Sequence, residues 1–256
     1  MPKPVVITRP EAQAAPLARR LAASACPVHV FPLLDILPLQ DTTALRATLD
    51  RLTDYAMVAF VSPNAVDAAF VFLDHWPHQV TAAVVGEGSR QALARHGLND
   101  TNARIVSPLD LQRTDSETLL QVLDLDALRG KKVLIVRAET GRELLAEQLR
   151  AAGIKVEQIA AYRRLPPLLD ANKAAQLRAL IAQDNDWLIT SSEGLRLLQD
   201  MVGQIDNGEG WPGMQQKNLI VPHPRIAETA RDLGFTHIIL CGSGDDAVYA
   251  AIQSRP

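Results

Sequence analysis

Four short stretches of this chain set small polar residues just after an apolar run and just before a helical pattern. They are Ser62-Pro63-Asn64, Gly86-Glu87-Gly88-Ser89, Ser191-Ser192-Glu193 and Pro222-His223-Pro224-Arg225. The first backbone N–H groups of a helix lack intrahelical partners, so such turns hold anions well. The plainer reading of any one of them is an N-cap by Ser or Asn. Four together point further, to a ligand carrying several anionic groups. Arg9 and Arg137 each follow an apolar run. A guanidinium there can make a two-pronged pair with a carboxylate, or it can fix a loop carbonyl. Arg225, Arg142 and Arg90 are further candidates, with an ordinary surface role as the alternative. Tyr162 adds a phenol. A phenol keeps its proton at neutral pH and can donate it, or can serve as a packing aromatic.

Other chemistries find little support. Gly86-Glu87-Gly88 opens like a dinucleotide fingerprint, but Gln91 stands where the third glycine belongs, and there is no P-loop. No GxSxG occurs. His75 and His78 flank Trp76-Pro77, which argues against a regular helical pair of metal ligands. Cys26 and Cys241 sit in no CxxC or Cys/His spacing, and read as buried thiols of a reducing compartment.

The elements that must position these residues alternate along the whole chain. Strands are predicted at Val5–Thr8, Val28–Phe31, Val58–Val61, Ala83–Val85, Arg104–Val106, Val133–Val136, Val156–Ala160, Trp187–Thr190, Leu219–Val221 and His237–Cys241. Between them lie helical faces such as Leu45, Leu49 and Leu52, or Ile226, Ala230 and Leu233. Strand–helix alternation of this kind means an α/β fold with buried parallel sheets. Ten strands suit two five-stranded sheets better than one of ten.

An internal repeat says how they divide. The segment from Val5 to Ile36 aligns with that from Lys132 to Arg164, with Arg9 on Arg137. AFVSPNAVDAAFVFL then aligns with LITSSEGLRLLQDM, with Ser62 on Ser191, and VVGEGSRQALARHG aligns more loosely with IVPHPRIAETARDLG. The copies run in permuted order. The expected layout is two similar doubly wound lobes, the second inserted into the first. Lobe 1 comprises residues 1–34 and 168–256, lobe 2 residues 39–160, and two extended connectors residues 35–38 and 161–167. Pro32, Pro38, Pro166 and Pro167 mark these crossings, and Tyr162 falls on the second. A cleft between lobes is a favoured ligand site.

Composition bounds the rest. The 256 residues are 47% hydrophobic and 21% charged, which suits a chain with a real core. A net charge of -3 disfavours nucleic-acid binding through bulk positive charge, so an anionic partner must meet local arginines. The opening MPKPVVITRP has no apolar signal region, and no apolar run reaches membrane-spanning length. A soluble, cytoplasmic protein without a membrane partner is expected.

Taken together, the chain resembles the uroporphyrinogen-III synthase family. The resemblance covers nearly its whole length. It rests on ITRP at 7–10, FPLLDI at 31–36, FVSPNAV at 60–66, VGEGSRQAL at 85–93, DSETLL at 115–120, VLIVRAETGRELL at 133–145, AAYRR at 160–164 and ITSSEGL at 189–195. The chain departs from the family pattern at Val61, where threonine is common, and at Ala138, where glycine is common.

The resemblance implies an enzyme, a lyase of tetrapyrrole and heme biosynthesis. It would convert linear hydroxymethylbilane into cyclic uroporphyrinogen III with loss of water and inversion of ring D, in the cleft between lobes. It implies no metal and no organic cofactor. The electron-rich pyrrole expels its own hydroxyl to give an azafulvene, and a spiro intermediate then reopens and closes with ring D reversed. It also implies Tyr162 as the proton donor to the departing hydroxyl. Ser62, Asn64, Gly86, Ser89, Ser191, Ser192 and Arg225, with Arg9 and Arg137 behind them, would bind the acetate and propionate groups. A monomer in transient contact with the enzyme supplying hydroxymethylbilane is the expected state. Two rivals stay open: a two-lobed small-molecule binding protein, and a glycosyltransferase using a nucleotide sugar. The first should carry a signal peptide or a DNA-binding segment, the second a stronger phosphate motif.

Overall fold

Runs such as Val5-Val6-Ile7 and Met57-Val58-Ala59-Phe60 are fully buried, as strands covered on both faces must be. The computed structural model describes residues 2–108 and 115–255. Its strands are β1 (Val5–Ile7), β2 (Val28–Val30), β3 (Asp35–Pro38), β4 (Met57–Phe60), β5 (Thr81–Val84), β6 (Ile105–Val106), β7 (Lys132–Ala138), β8 (Lys155–Leu165), β9 (Asp186–Leu188), β10 (Asn218–Val221) and β11 (Ile238–Leu240). They form two sheets, in the orders β11-β10-β9-β1-β2 and β3-β8-β7-β4-β5-β6.

The chain divides into two compact units, Met1–Asp35 with Leu165–Pro256, and Ile36–Arg164. Within the first, every strand pairing is parallel, and β1 lies between β2 and β9. Alternate residues feed cores on opposite faces. Val6, Trp187, Ile189, Leu219 and Val221 pack on one side, and Val5, Ile7, Leu188 and Ile220 on the other. The buried Trp187 and Asn185 side chains are paired: Trp187 Nε1 donates to Asn185 Oδ1 at 2.8 Å, and Asn185 Nδ2 donates to the Leu180 carbonyl at 2.7 Å.

The second unit follows the same strand order, with β8, β7, β4, β5 and β6 in the places of β2, β1, β9, β10 and β11. Its parallel pairings put Val58, Phe60, Leu134 and Val136 on one face, and Met57, Ala59, Val133 and Ile135 on the other.

Three expectations need correction. The second sheet has six strands and not five, because Asp35–Pro38, where the chain passes from one unit to the other, is itself a strand flanking β8. Its proline is tolerated at the end of an edge strand, where no ladder hydrogen bond is lost. Residues 161–165, also assigned to a connector, continue β8, which ends just before Pro166. The thiols differ in burial as well: Cys26 is buried, but Cys241 is only partly so, its thiol pushed up first by burial. Among the described residues, no helix is long and apolar enough to cross a membrane, and no cluster of His, Cys, Asp or Glu could hold a metal ion.

Candidate active site

In parallel sheets the carboxyl ends of the strands and the helix starts that follow them form one edge, where α/β proteins bind ligands. In the second unit this edge carries Ser62, Asn64 and Gly86. Ser62 follows β4 and caps the helix Pro63–Phe70, its Oγ accepting from the Ala65 N–H at 3.1 Å. Asn64 lies in the first turn of that helix, and Gly86 is the N-cap residue of the helix Glu87–Arg95. The two turns lie side by side: a Cβ on Gly88 would sit 3.4 Å from Pro63 Cγ.

Tyr162 reaches the same edge from β8. Its side chain is 5% exposed, and its Oη lies 3.0 Å from Ser62 Oγ. It does so through an irregularity in the ladder. Val136 pairs with Ile159 and Arg137 with Ala160, but Ala138 pairs with Tyr162, leaving Ala161 as an extra residue. A one-residue bulge of this kind re-aims the side chains that follow it.

Ser89, expected to bind a carboxylate, is 2% exposed. It shares the inward face of its helix with Ala92 and Leu93, at the spacing that defines one helical stripe. Arg137 is also buried, and its guanidinium pairs with Glu143 and with the Gln158 side-chain oxygen. The Gln158 amide first, and then Arg137, hold the Glu143 carboxyl below the usual carboxylate range. Arg142 pairs with Glu117, and Arg90 with Asp100.

In the first unit, Ser191 follows β9 and caps the helix Ser192–Asp206, accepting from the Gly194 N–H at 2.9 Å. Ser192 Oγ lies 2.9 Å from Thr229 Oγ1, which in turn lies 3.0 Å from the Arg225 carbonyl oxygen. The turns after β9 and β10 are thereby tied together. Arg225 stands in the first turn of the helix Pro224–Asp232, with its side chain exposed and without an ion pair among the described residues. Arg9 is committed to Asp245 at the start of the helix Asp245–Gln253.

One cation at this edge escaped the sequence reading. Lys173, in the first turn of the helix Ala171–Ala182, lies over the Phe31 ring with 5.3 Å from Nζ to the centroid. Burial holds its ammonium below the ordinary lysine range, against the pull of Asp35, Asp170 and Glu11. Nothing in the local pattern separates it from a solvent-facing helix lysine.

The carboxyl edge of the second unit thus offers helix-start N–H groups and a buried phenol beside a serine, which can bind anions and move one proton. That of the first unit offers helix-start N–H groups with the cations of Arg225 and Lys173, which can bind carboxylates. Known proteins resemble this chain along nearly its whole length. The family model described as Uroporphyrinogen-III synthase HemD matches residues 15–242. The Uroporphyrinogen-III synthase of Salmonella typhimurium is 32% identical over 254 residues, covering 97% of this chain and 99% of that protein. The protein of the same name from Escherichia coli is 30% identical over the same shares of each. Among solved structures, a mutant uroporphyrinogen III synthase from Thermus thermophilus superposes with a TM-score of 0.62. It covers 98% of this chain and 96% of its own at 14% identity, a likeness of fold.

Proposed function

Because the chain belongs to the uroporphyrinogen-III synthase family, we propose that Tyr162 donates the proton of its reaction and that the helix-start turns bind the carboxylates of its substrate. The enzyme is a lyase of tetrapyrrole biosynthesis, closing hydroxymethylbilane to uroporphyrinogen III. The observation that carries the assignment of Tyr162 is its phenol, 5% exposed and 3.0 Å from Ser62 Oγ at the carboxyl edge of its sheet.

The pyrrole nitrogen pushes electrons toward the hydroxymethyl carbon, and the C–O bond breaks. The departing hydroxyl takes the Tyr162 proton and leaves as water. Ring D attacks the hydroxymethyl carbon through its already substituted α-carbon to give a spiro centre. The bond from that centre to the ring C methylene breaks, and the methylene rejoins ring D at its free α-carbon, whose hydrogen leaves as a proton and restores the phenol. A general acid so placed contributes about a hundred- to ten-thousandfold. Holding the flexible chain in one folded shape contributes further, and disfavours closure without ring inversion.

Asn64, Gly86, Ser191, Ser192 and Arg225 are the proposed carboxylate binders. Arg9 and Arg137, already paired, serve by holding their loops. The same reading has a single chain working in the cytoplasm and meeting the enzyme that supplies hydroxymethylbilane only transiently. The unpaired thiols of Cys26 and Cys241 suit such a reducing compartment.

Incubation with hydroxymethylbilane, followed by oxidation and separation of the porphyrin isomers, tests the reaction; isomer I alone would refute it. Arg225→Ala tests the binding role. It is expected to raise KM by the equivalent of about 1–3 kcal/mol, the worth of a charged hydrogen bond. Added salt should raise the wild-type KM as well. A KM unmoved by both would make Arg225 an ordinary surface residue.

A further inference from the structure

We propose that Ser62 is a positioning residue for Tyr162, and that the bulge at Ala161 is what brings the two together. The proposal rests on the reading of Tyr162 as proton donor. Side chains alternate across a sheet, so a single inserted residue sends all that follow to the opposite face. Val136 and Ala138 point into one core, as does Phe60 on the neighbouring strand β4. Ile159 and Tyr162, their partners on β8, pack in that same core although they are three residues apart. In an unbroken ladder Ala161 would oppose Ala138, and the phenol would project from the other face, away from Ser62.

The hydrogen-bond inventory of Ser62 leaves two directions for its bond to Tyr162. Its Oγ has one proton and two lone pairs. One lone pair takes the Ala65 N–H. If Ser62 accepts from Tyr162 as well, the phenolic proton is occupied. If Ser62 instead donates to Tyr162 Oη, the phenolic proton is free to go to the leaving hydroxyl. The N–H already bound to Ser62 favours that arrangement, because a hydroxyl that accepts becomes a better donor. Ser62 then also holds the phenolate left after transfer, through a charge-assisted bond that strengthens as the charge develops.

The test is a double-mutant cycle in kcat and KM for hydroxymethylbilane, using Ser62→Ala, Tyr162→Phe and both together, with thermal melting to check folding. Ser62→Ala is expected to lower kcat at least about tenfold with little change in KM. In the Tyr162→Phe background it should cost almost nothing more. Ser62→Thr, which keeps the hydroxyl, should recover most of the rate. Ser62→Asp guards against loss of the helix cap. It caps well but only accepts, so it should fold and still be slow. Losses that multiply in the double variant, or a change confined to KM, would overturn the positioning role and leave Tyr162 as donor. A wild-type rate in Tyr162→Phe would overturn the donor reading itself, and the positioning role with it.

Discussion

Tyr162→Phe is expected to slow turnover by about a hundred- to ten-thousandfold while the product remains uroporphyrinogen III. The substitution removes one oxygen from a side chain that packs in the core of its unit. The ring still fills its place, so the folded state should lose only one hydrogen bond, about 0.5–1.5 kcal/mol. What it does lose is the proton that turns a poor leaving group into water. Rate alone cannot separate that from looser positioning, so the isomer composition is the second readout. Poor positioning lets the reactive intermediate escape and close as uroporphyrinogen I. Lost proton donation slows the step without changing which isomer forms. Unaltered turnover with pure isomer III would reduce the phenol to a packing contact.

Arg255→Ala is expected to destabilise the protein by about 3–5 kcal/mol, the largest effect on stability anticipated for any exchange away from the reaction. The Asp186 side chain is 2% exposed, beneath the amino end of β9. Arg255 pairs with it from just beyond the helix Asp245–Gln253, and Lys3 and Asn218 also bond to it. The same guanidinium donates to the Ile252 and Lys3 carbonyl oxygens, which pins the end of the chain to its beginning. Removing it leaves a buried carboxylate held mainly by Lys3, whose side chain is 31% exposed. Urea unfolding should show the midpoint fall. Adding Asp186→Asn should recover part of the loss, since a neutral amide costs less to bury than an unpaired charge. The pair lies at the sheet edge opposite the helix-start turns, so kcat at low temperature should hold. A midpoint within error of wild type would show that water or Lys3 suffices.

Much of this was legible before any coordinates. The alignment of Arg9 with Arg137 and of Ser62 with Ser191 already carries the permuted strand order that both sheets display. The helix-start turns were legible too, because Ser before Pro or Glu after an apolar run has a mechanism behind it. What stayed hidden was long-range or subtle. Asp35–Pro38 reads as a connector because its proline outweighs its two apolar residues, and only β8 beside it makes it a strand. The bulge lies in Ala160-Ala161-Tyr162, where neither Gly nor Pro marks the break. Asp245 is 236 residues from Arg9, so no local pattern could say that this guanidinium was taken. The burial of Ser89 was different. Its spacing to Ala92 and Leu93 was there to be seen, and a stricter reading of the helix face would have excluded it.

The position of β1 between β2 and β9 also sets a clock for biosynthesis. Thr8 on the opening segment bonds to the Leu188 carbonyl, 180 residues later. At roughly 5–20 residues per second, a ribosome needs about ten to forty seconds to deliver that partner. During that interval β1 and β2 can pair only with each other, while Ile36–Arg164 emerges in full and can collapse around its own six strands. The nascent chain therefore carries an unclosed apolar edge, Val5-Val6-Ile7, tethered ahead of a finished neighbour. Such an edge invites pairing with the wrong strand. Slow translation between residues 165 and 188 would lengthen that exposure, and a chaperone that shields short apolar segments would be most useful then.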